Sequence, residues 1–210
     1  MSDTSEKVFL ILNFKSLFKN SKVLITGHTG FKGSWLTAWL QSLGAKVVGV
    51  AFELPSQPSH YEDADLSKSM EDHRVDIRNG YELKRLVSGT QPDFVFHLAA
   101  QSLVRQSYLD PVETYQTNVL GTLNLLEGLR LLKKPCTAVL ITSDKCYDNV
   151  EWVWGYRETD SLGGPDPYSA SKGAAELVIR SHVKSFFPSD GVVRVAVGRA
   201  GNVIGGGDWA

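Results

Sequence analysis

The run YSASK, from Tyr168 to Lys172, sets a phenol and an ammonium group four residues apart. On a helix this spacing places both side chains on the same face. A neighbouring positive charge lowers the pKa of a phenol from about 10 towards neutrality, so Tyr168 would be able to exchange a proton with a hydroxyl group of a small molecule. On its own the pattern is common by chance, and a plain helix surface is the competing interpretation.

A second chemical feature is the glycine-rich run GHTGFKG. Glycines permit a tight turn and a close backbone approach, and the N-terminus of a following helix offers amide donors and a positive dipole end to a pyrophosphate. The run therefore predicts a dinucleotide site, against the alternative of an ordinary strand-to-helix turn. The residues predicted to hold the cofactor here are Gly27, Gly30, Phe31, Lys32 and Gly33.

The elements that must position these groups follow from the hydrophobic pattern. Short apolar, β-branched runs predict strands at Lys22–Thr26, Lys46–Phe52, Phe94–Ala99, Ala138–Thr142 and Val192–Val197. A further strand, the third along the chain, is predicted to end near Val75–Ile77. Apolar residues at helical spacing predict helices at Gly33–Leu43, Val112–Leu132 and Tyr168–Phe187. This alternation favours an α/β fold, a doubly wound parallel sheet with helices on both faces.

Length and composition narrow the class of protein. The 210 residues fit one domain, with residues 1–20 as an N-terminal extension and residues 21–210 as the domain. A net charge of −1 with scattered basic residues argues against a nucleic-acid partner. The apolar run Val8–Leu12 is far shorter than the ~20 residues of a membrane span. The cysteines, Cys136 and Cys146, match no metal-ligand spacing and indicate free thiols in a reducing, cytoplasmic compartment.

The order of these motifs resembles that of the short-chain dehydrogenase/reductase superfamily: GxxGxxG, an LAAQ stretch, a strand ending in Ser143, and YxxxK. The resemblance implies a Rossmann-like fold with NAD as cofactor. It makes Ser143, Tyr168 and Lys172 the catalytic residues, with Tyr168 and Lys172 also against the cofactor. It further implies adenine contacts from Asp76 and Ile77, and contacts beside the nicotinamide ribose from Leu98, Ala99, Ala100 and Gln101.

Glu53, just beyond the second predicted strand, bears on the choice of cofactor. A carboxylate there would accept hydrogen bonds from the ribose 2′-hydroxyl of NAD and repel the 2′-phosphate of NADP. Phe52 occupies the more usual place of such an acid, and a solvated loop glutamate is the alternative interpretation. The position favours NAD.

The tripeptide Ser143-Asp144-Lys145 lies at the sheet edge where open α/β folds bind their ligands. Hydride transfer or epimerisation in the superfamily needs only the serine, tyrosine and lysine. Removal of water from a hexose also needs one group that takes a proton and another that gives one. Taken alone, Asp144 and Lys145 would equally fit a strand-end ion pair that faces solvent.

Longer phrases carry a closer resemblance, over about residues 21–210, to the CDP-glucose 4,6-dehydratases; they include FHLAAQSLVRQSY, TSDKCYDN, EWVWGYRE and RAGNVIGGGDWA. The resemblance implies that Lys145 is the base and Asp144 the acid in the loss of water. It implies substrate contacts from Arg199 and Asn202, conversion of CDP-glucose to CDP-4-keto-6-deoxyglucose with NAD as an internal hydride shuttle, and a role in deoxysugar and O-antigen-type polysaccharide biosynthesis. A homodimer is implied too, with the C-terminal substrate lobe largely absent from this chain.

Two other functions stay open at this point. A sugar-nucleotide epimerase or reductase of the same superfamily would need no Asp144-Lys145 pair. A non-catalytic NAD-binding module would need neither this pair nor the tyrosine. Turnover of CDP-glucose to a 4-keto product separates all three.

Overall fold

A computed structural model describes residues 14–209 as a parallel sheet flanked by helices. The six strands are β1 (Lys22–Thr26), β2 (Lys46–Ala51), β3 (Glu71–Arg74), β4 (Phe94–His97), β5 (Cys136–Ser143) and β6 (Val193–Ala200). Their order across the sheet is β3-β2-β1-β4-β5-β6, and every neighbouring pair is parallel. The predicted doubly wound, Rossmann-like α/β fold is confirmed.

Helices fill the connections between the strands. They are α1 (Phe31–Ser42), α2 (His60–Asp63), α3 (Gly80–Thr90), α4 (Val104–Leu109), α5 (Pro111–Tyr115), α6 (Thr122–Leu129) and α7 (Pro167–Phe186). Short 3₁₀ turns occupy Leu66–Ser69 and Asp144–Cys146. The helix predicted over Val112–Leu132 is interrupted by a π-helical segment, Gln116–Gly121.

Strands β3 and β4 end two or more residues earlier than the sequence predicts, and β2 ends one residue earlier, at Ala51. β4 stops at His97 because its neighbour β1 ends at Thr26, and one further hydrogen bond, from Leu98 N to Thr26 O, closes the ladder. β3 stops at Arg74, so the residues predicted to end it follow the strand instead. Both differences place cofactor-site residues in loops at the carboxyl edge of the sheet.

The core lies on both faces of the sheet, as the alternation along β1 dictates. Leu24 faces the cluster under α3, α6 and α7, which includes Leu83, Leu125 and Ile179. Val23 and Ile25 face the opposite cluster under α1. Both faces of the central strand are therefore buried, and its carboxyl end is fixed from either side.

Residues before β1 also pack on this core. Phe18 is buried, and its ring centroid lies 4.9 Å from that of Phe94. The predicted division between residues 20 and 21 stays a prediction, and the run Val8–Leu12 lies outside the described residues. Within residues 14–209, no helix is long and apolar enough to cross a membrane.

Candidate active site

The candidate site lies where the strand order reverses, between the carboxyl ends of β1 and β4. In open parallel sheets this crevice is the usual position of a ligand. The glycine turn follows β1 directly. Gly27 has a φ of 75°, and a Cβ atom there would lie 2.7 Å from the Ala99 nitrogen. A Cβ atom on Gly33 would overlap the carbonyl oxygen of Gly27. These two glycines are therefore required by packing.

Gly30 differs from the other two glycines of the turn. Its φ is −74°, and a Cβ atom there would meet only the Gly27 oxygen, at 3.4 Å. Helix α1 begins at the next residue, so its first N–H groups lack intrahelical acceptors. This is the cradle that a pyrophosphate requires.

A cavity of about 840 Å³ extends from this turn across the sheet edge. All fourteen residues predicted to bind the cofactor line it: Gly27, Gly30, Phe31, Lys32, Gly33, Glu53, Asp76, Ile77, Leu98, Ala99, Ala100, Gln101, Tyr168 and Lys172. Ser143 and Asn202 line the same cavity. The structure thus brings together residues from both ends of the chain, and their individual roles stay predictions.

One end of the cavity carries a charged cluster. Arg78 donates from Nε to Asp76 Oδ2 at 2.7 Å and from Nη1 to Glu113 Oε1 at 3.1 Å. Its guanidinium carbon lies 6.0 Å from the Phe52 ring centroid. Although burial works against the charge of Asp76, the hydrogen bonds from Arg78 hold the pKa of this carboxyl below its usual value. Sequence reasoning missed Arg78, which stands two residues beyond Asp76.

Tyr168 and Lys172 lie in the first turns of α7, which Asp166 caps by accepting from Ser169 N at 2.9 Å. Both side chains are buried, and Lys172 Nζ lies 5.8 Å from the Tyr168 ring centroid. Burial, with the charge of Lys32 as a second cause, lowers the pKa of Lys172 to about 8.

The predicted fall in the pKa of Tyr168 is wrong. Burial raises the pKa of this phenol, and a hydrogen bond with Ser143 opposes that rise without cancelling it. The sequence reasoning considered the neighbouring charge and left out the cost of burying a phenolate. Burial also disfavours the charged form of Lys172, but because that form is a cation, burial lowers its pKa.

Ser143 ends β5 beside Tyr168, and the next two residues form a turn in front of it. Ser143 Oγ donates to Asp144 Oδ1 at 3.0 Å, and Lys145 Nζ lies 3.6 Å from Asp144 Oδ2. The side chains of Asp144 and Lys145 are 48% and 56% exposed and do not line the cavity. The described residues therefore leave both side chains in contact with solvent.

A family model described as GDP-mannose 4,6 dehydratase matches residues 24–188, which include the glycine turn, Ser143 and the Tyr168–Lys172 pair. The chain belongs to the GDP-mannose 4,6-dehydratase family. Among its curated relatives, CDP-glucose 4,6-dehydratase of Salmonella typhimurium is 52% identical over 200 residues, which cover 93% of this chain and 56% of that protein. The resemblance predicted from the sequence is confirmed, and the chain spans about half the length of the curated relatives it matches.

Solved structures agree with the family fold. UDP-glucose 4-epimerase of Thermus thermophilus, in complex with NAD, is 28% identical with a TM-score of 0.71, covering 85% of this chain and 54% of that one. UDP-glucose 4-epimerase of Thermotoga maritima, with UDP-glucose, is 25% identical with a TM-score of 0.71 over 85% of this chain and 54% of that one. The identity to these epimerases is about half of that to the dehydratase from Salmonella typhimurium.

Within this dehydratase-family fold, sequence reasoning missed Asn118, which bonds the cavity-lining Gln101 but does not itself line the cavity. It lies in the π-helical segment, where its Nδ2 donates to Gln101 O at 3.0 Å and to Ser171 Oγ at 2.9 Å. Its Oδ1 accepts from Gln101 N at 2.9 Å. π-helical segments inside helices are frequent at functional sites. The sequence signal was weak, because Asn118 shares its helix face with the polar residues Thr114 and Thr122, four residues before and after it.

The two predicted substrate residues lie in different surroundings. Asn202 lines the cavity, whereas the Arg199 guanidinium forms an ion pair with the buried Glu176 outside the lining. The substrate role of Arg199 stays a prediction. Beyond Asn202 the chain crosses the cavity, and Trp35 Nε1 donates to Gly206 O at 2.8 Å.

Both cysteines are buried, and neither forms a disulfide. Burial raises the pKa of Cys136 to about 12 and that of Cys146 to about 11. They are protonated thiols at neutral pH, as the sequence predicts for free cysteines.

Proposed function

We propose that this chain is the NAD-binding and catalytic part of a CDP-glucose 4,6-dehydratase, with residues 21–210 as that domain. The observation that carries the proposal is the Asp144-Lys145 turn directly after Ser143 and beside Tyr168. Redox chemistry alone has no use for this pair, whereas loss of water needs an acid and a base. The 52% identity to the dehydratase of Salmonella typhimurium supports the same substrate.

The cavity fits a dinucleotide. The open space over Gly30 and the first turn of α1 suit the pyrophosphate, and the acidic side chain of Glu53 suits an unphosphorylated adenosine ribose. Bound NAD would supply a hydride acceptor and donor within one catalytic cycle. Lys172 would bind the nicotinamide ribose, and Lys32 would bind the phosphates.

Tyr168 would begin the reaction by taking the proton of the sugar 4-hydroxyl. Because Ser143 hydrogen-bonds the phenol, the serine can hold the same substrate oxygen. Formation of a ketone at carbon 4 then acidifies the proton on carbon 5.

The Asp144-Lys145 turn would perform the second stage. With the proton of the pair on Asp144, the neutral amine of Lys145 removes the carbon-5 proton and Asp144 gives its proton to the departing 6-hydroxyl, so that water leaves. Return of the hydride to carbon 6 and of a proton from Lys145 to carbon 5 would complete the 4-keto-6-deoxy sugar. The carboxylate of Asp144 accepts from Ser143, which ties the acid to the residue that holds the 4-oxygen. Asn202, on the cavity wall, would contact the nucleotide sugar.

The test is incubation of the chain with NAD and CDP-glucose, followed by detection of a 4-keto-6-deoxy sugar product. UDP-glucose serves as the comparison substrate because the two similar solved structures are UDP-glucose 4-epimerases. Turnover of CDP-glucose alone supports the dehydratase. Conversion of UDP-glucose to its 4-epimer instead would assign the chain to the epimerases, and NAD binding without either product would make it a non-catalytic module.

Assembly and location form part of the same proposal. Large apolar side chains are exposed on the helical stretch around α6 and on α7, among them Val112, Leu120 and Leu177. We expect these helices to pack against their copies in a homodimer, because such faces are otherwise costly to leave in water. Light scattering that gives a monomer at micromolar concentration would contradict this. The buried free thiols favour the cytoplasm, where nucleotide sugars for O-antigen-type polysaccharides would be modified.

A further inference from the structure

The catalytic face of α7 continues one turn beyond Lys172. Tyr168, Lys172 and Glu176 follow at intervals of four residues, so all three lie on one side of the helix. The Glu176 side chain is only 7% exposed. A buried carboxylate requires partners for its charge and its lone pairs.

Two neighbouring strands supply those partners. Arg199 on β6 forms a two-pronged ion pair, with Nε 3.0 Å from Oε1 and Nη2 2.9 Å from Oε2 of Glu176. Thr142 on β5 donates its hydroxyl to Oε1 of the same carboxylate. Thr142 is the residue immediately before Ser143, so Glu176 links the catalytic helix to the strand that carries the catalytic serine.

Arg199 extends the link to the segment after Ser143. Its guanidinium carbon lies 4.8 Å from the Tyr147 ring centroid, and its Nη1 donates to Glu158 O at 3.2 Å. Tyr147 in turn stacks on Tyr156, with ring centroids 5.0 Å apart. Arg199 therefore contacts the segment of residues 144–158 near its start, at Tyr147, and at its end, at Glu158.

We propose that Glu176 and Arg199 are positioning residues: through Thr142 and Tyr147 they fix Ser143 and the Asp144-Lys145 turn relative to Tyr168. The contacts above support the positioning of these groups. The catalytic reason for that positioning rests on the proposed dehydratase function. It gives Arg199 a role that needs no contact with substrate.

Stability alone is a weak reason for such a pair. Burying two charges costs desolvation energy that their attraction often only repays, so a buried ion pair is poor evidence for stabilisation. What a bidentate arginine–carboxylate pair provides is a fixed mutual orientation of the two elements. Here those elements carry the groups proposed for the two chemical stages.

The experiment follows the titration of Tyr168 in this chain by NMR, with carbon-13 at the tyrosine Cζ and the signal assigned through Tyr168→Phe. The variants are Arg199→Lys and Glu176→Gln, and the control is Arg194→Lys, the same substitution at an exposed position of the same strand. The hydrogen bond with Ser143 lowers the pKa of Tyr168, so release of Ser143 should raise the titration midpoint by about half a pH unit or more. Amide exchange across residues 144–158 should rise about tenfold.

The control should change neither readout, and NAD affinity should stay the same in all variants because the glycine turn is untouched. An unchanged Tyr168 midpoint and unchanged loop exchange in Arg199→Lys, with a lower unfolding temperature, would overturn the proposal and leave the pair a stabilising one. If Glu176→Gln does not fold, Thr142→Val tests the same link. Neither readout needs substrate turnover, so a failure to process CDP-glucose would refute the function without deciding the positioning role.

Discussion

The cofactor side of the cavity and the proposed substrate side, whose Asp144-Lys145 turn lies outside the cavity lining, are built differently. On the cofactor side, Gly27 and Gly33 meet neighbouring backbone with no room for a side chain, and Tyr168 and Lys172 are buried. On the substrate side, Asp144 and Lys145 are half exposed, and Ile204 is 96% exposed. The groups proposed for oxidation at carbon 4 are thus held by packing, whereas those proposed for water loss are held mainly by one another.

This difference separates two requirements of the proposed reaction. The described residues bury Tyr168, the residue proposed for proton exchange at the 4-hydroxyl. Acid and base work at Asp144 and Lys145 depends on surroundings that these residues provide only in part. Substitutions on the first side should therefore alter binding and stability, and substitutions on the second side should alter one chemical step.

The largest effect should come from Gly30→Val. The site accepts a Cβ atom without a backbone clash, so the variant should fold, but the added methyl groups would occupy the place of the pyrophosphate. We expect NAD affinity to fall at least about 1,000-fold, about 4 kcal/mol. Titration calorimetry measures this loss.

Gly89→Val is the matched control, because a Cβ atom there meets nothing within 4 Å and the residue lies in α3, away from the cavity. It should bind NAD like the parent chain. Equal NAD affinity in Gly30→Val and Gly89→Val would refute the assignment of the glycine turn to the pyrophosphate.

The next effect concerns the pH dependence of stability. The pKa of Lys172 falls from 10.5 to about 8 on folding because the ammonium is buried. Between these pH values the unfolded chain holds a proton that the folded chain has lost, so stability should rise with pH across this window. The gain relative to Lys172→Met should reach about 3 kcal/mol.

Denaturant unfolding of parent and variant at several pH values measures that gain. Lys184→Met, the same substitution at an exposed position of α7, should keep the pH profile of the parent. If Lys172→Met also keeps it, Lys172 is not titrating in this range and the buried-cation account of the cofactor side fails.

The smallest effect should appear where the chain crosses the cavity beyond Asn202. Trp35→Phe keeps an aromatic ring against His60 but loses the N–H donor to Gly206 O. One such hydrogen bond contributes about 1 kcal/mol, so amide exchange at residues 203–208 should rise about fivefold. Trp39→Phe is the control, on the same helix and equally exposed. Equal exchange in both variants would mean that this bond does not hold the segment.

Local patterns predicted the sheet and the cofactor side well. Strand β1 begins and ends as predicted, and the fourteen proposed cofactor residues reach one cavity, because tight turns and buried strands leave strong local signals. The π-helical segment carrying Asn118 left no such signal. Neither did Arg78, whose partner Glu113 is distant in sequence.

Errors arose where burial decides the outcome. The neighbouring charge of Lys172 suggested a lowered pKa for Tyr168, but the phenol is buried and its pKa rises. The substrate role of Arg199 stays a prediction, but the sequence analysis did not foresee its partner Glu176, which stands 23 residues earlier on another element. Spacing along the chain predicts neither the burial of Tyr168 nor the partner of Arg199, since both depend on packing between elements.

The central claim is that the Asp144-Lys145 turn performs the dehydration, separately from the Tyr168 face. The decisive measurement is the absorbance of bound NADH after one addition of CDP-glucose to the chain with NAD. In Lys145→Met and Asp144→Asn, oxidation at carbon 4 should proceed while water loss falls about 100 to 10,000-fold, so reduced cofactor should accumulate. Tyr168→Phe should form none. Dehydration at the parent rate in Lys145→Met would contradict the account and leave Lys145 as the ion-pair partner of Asp144.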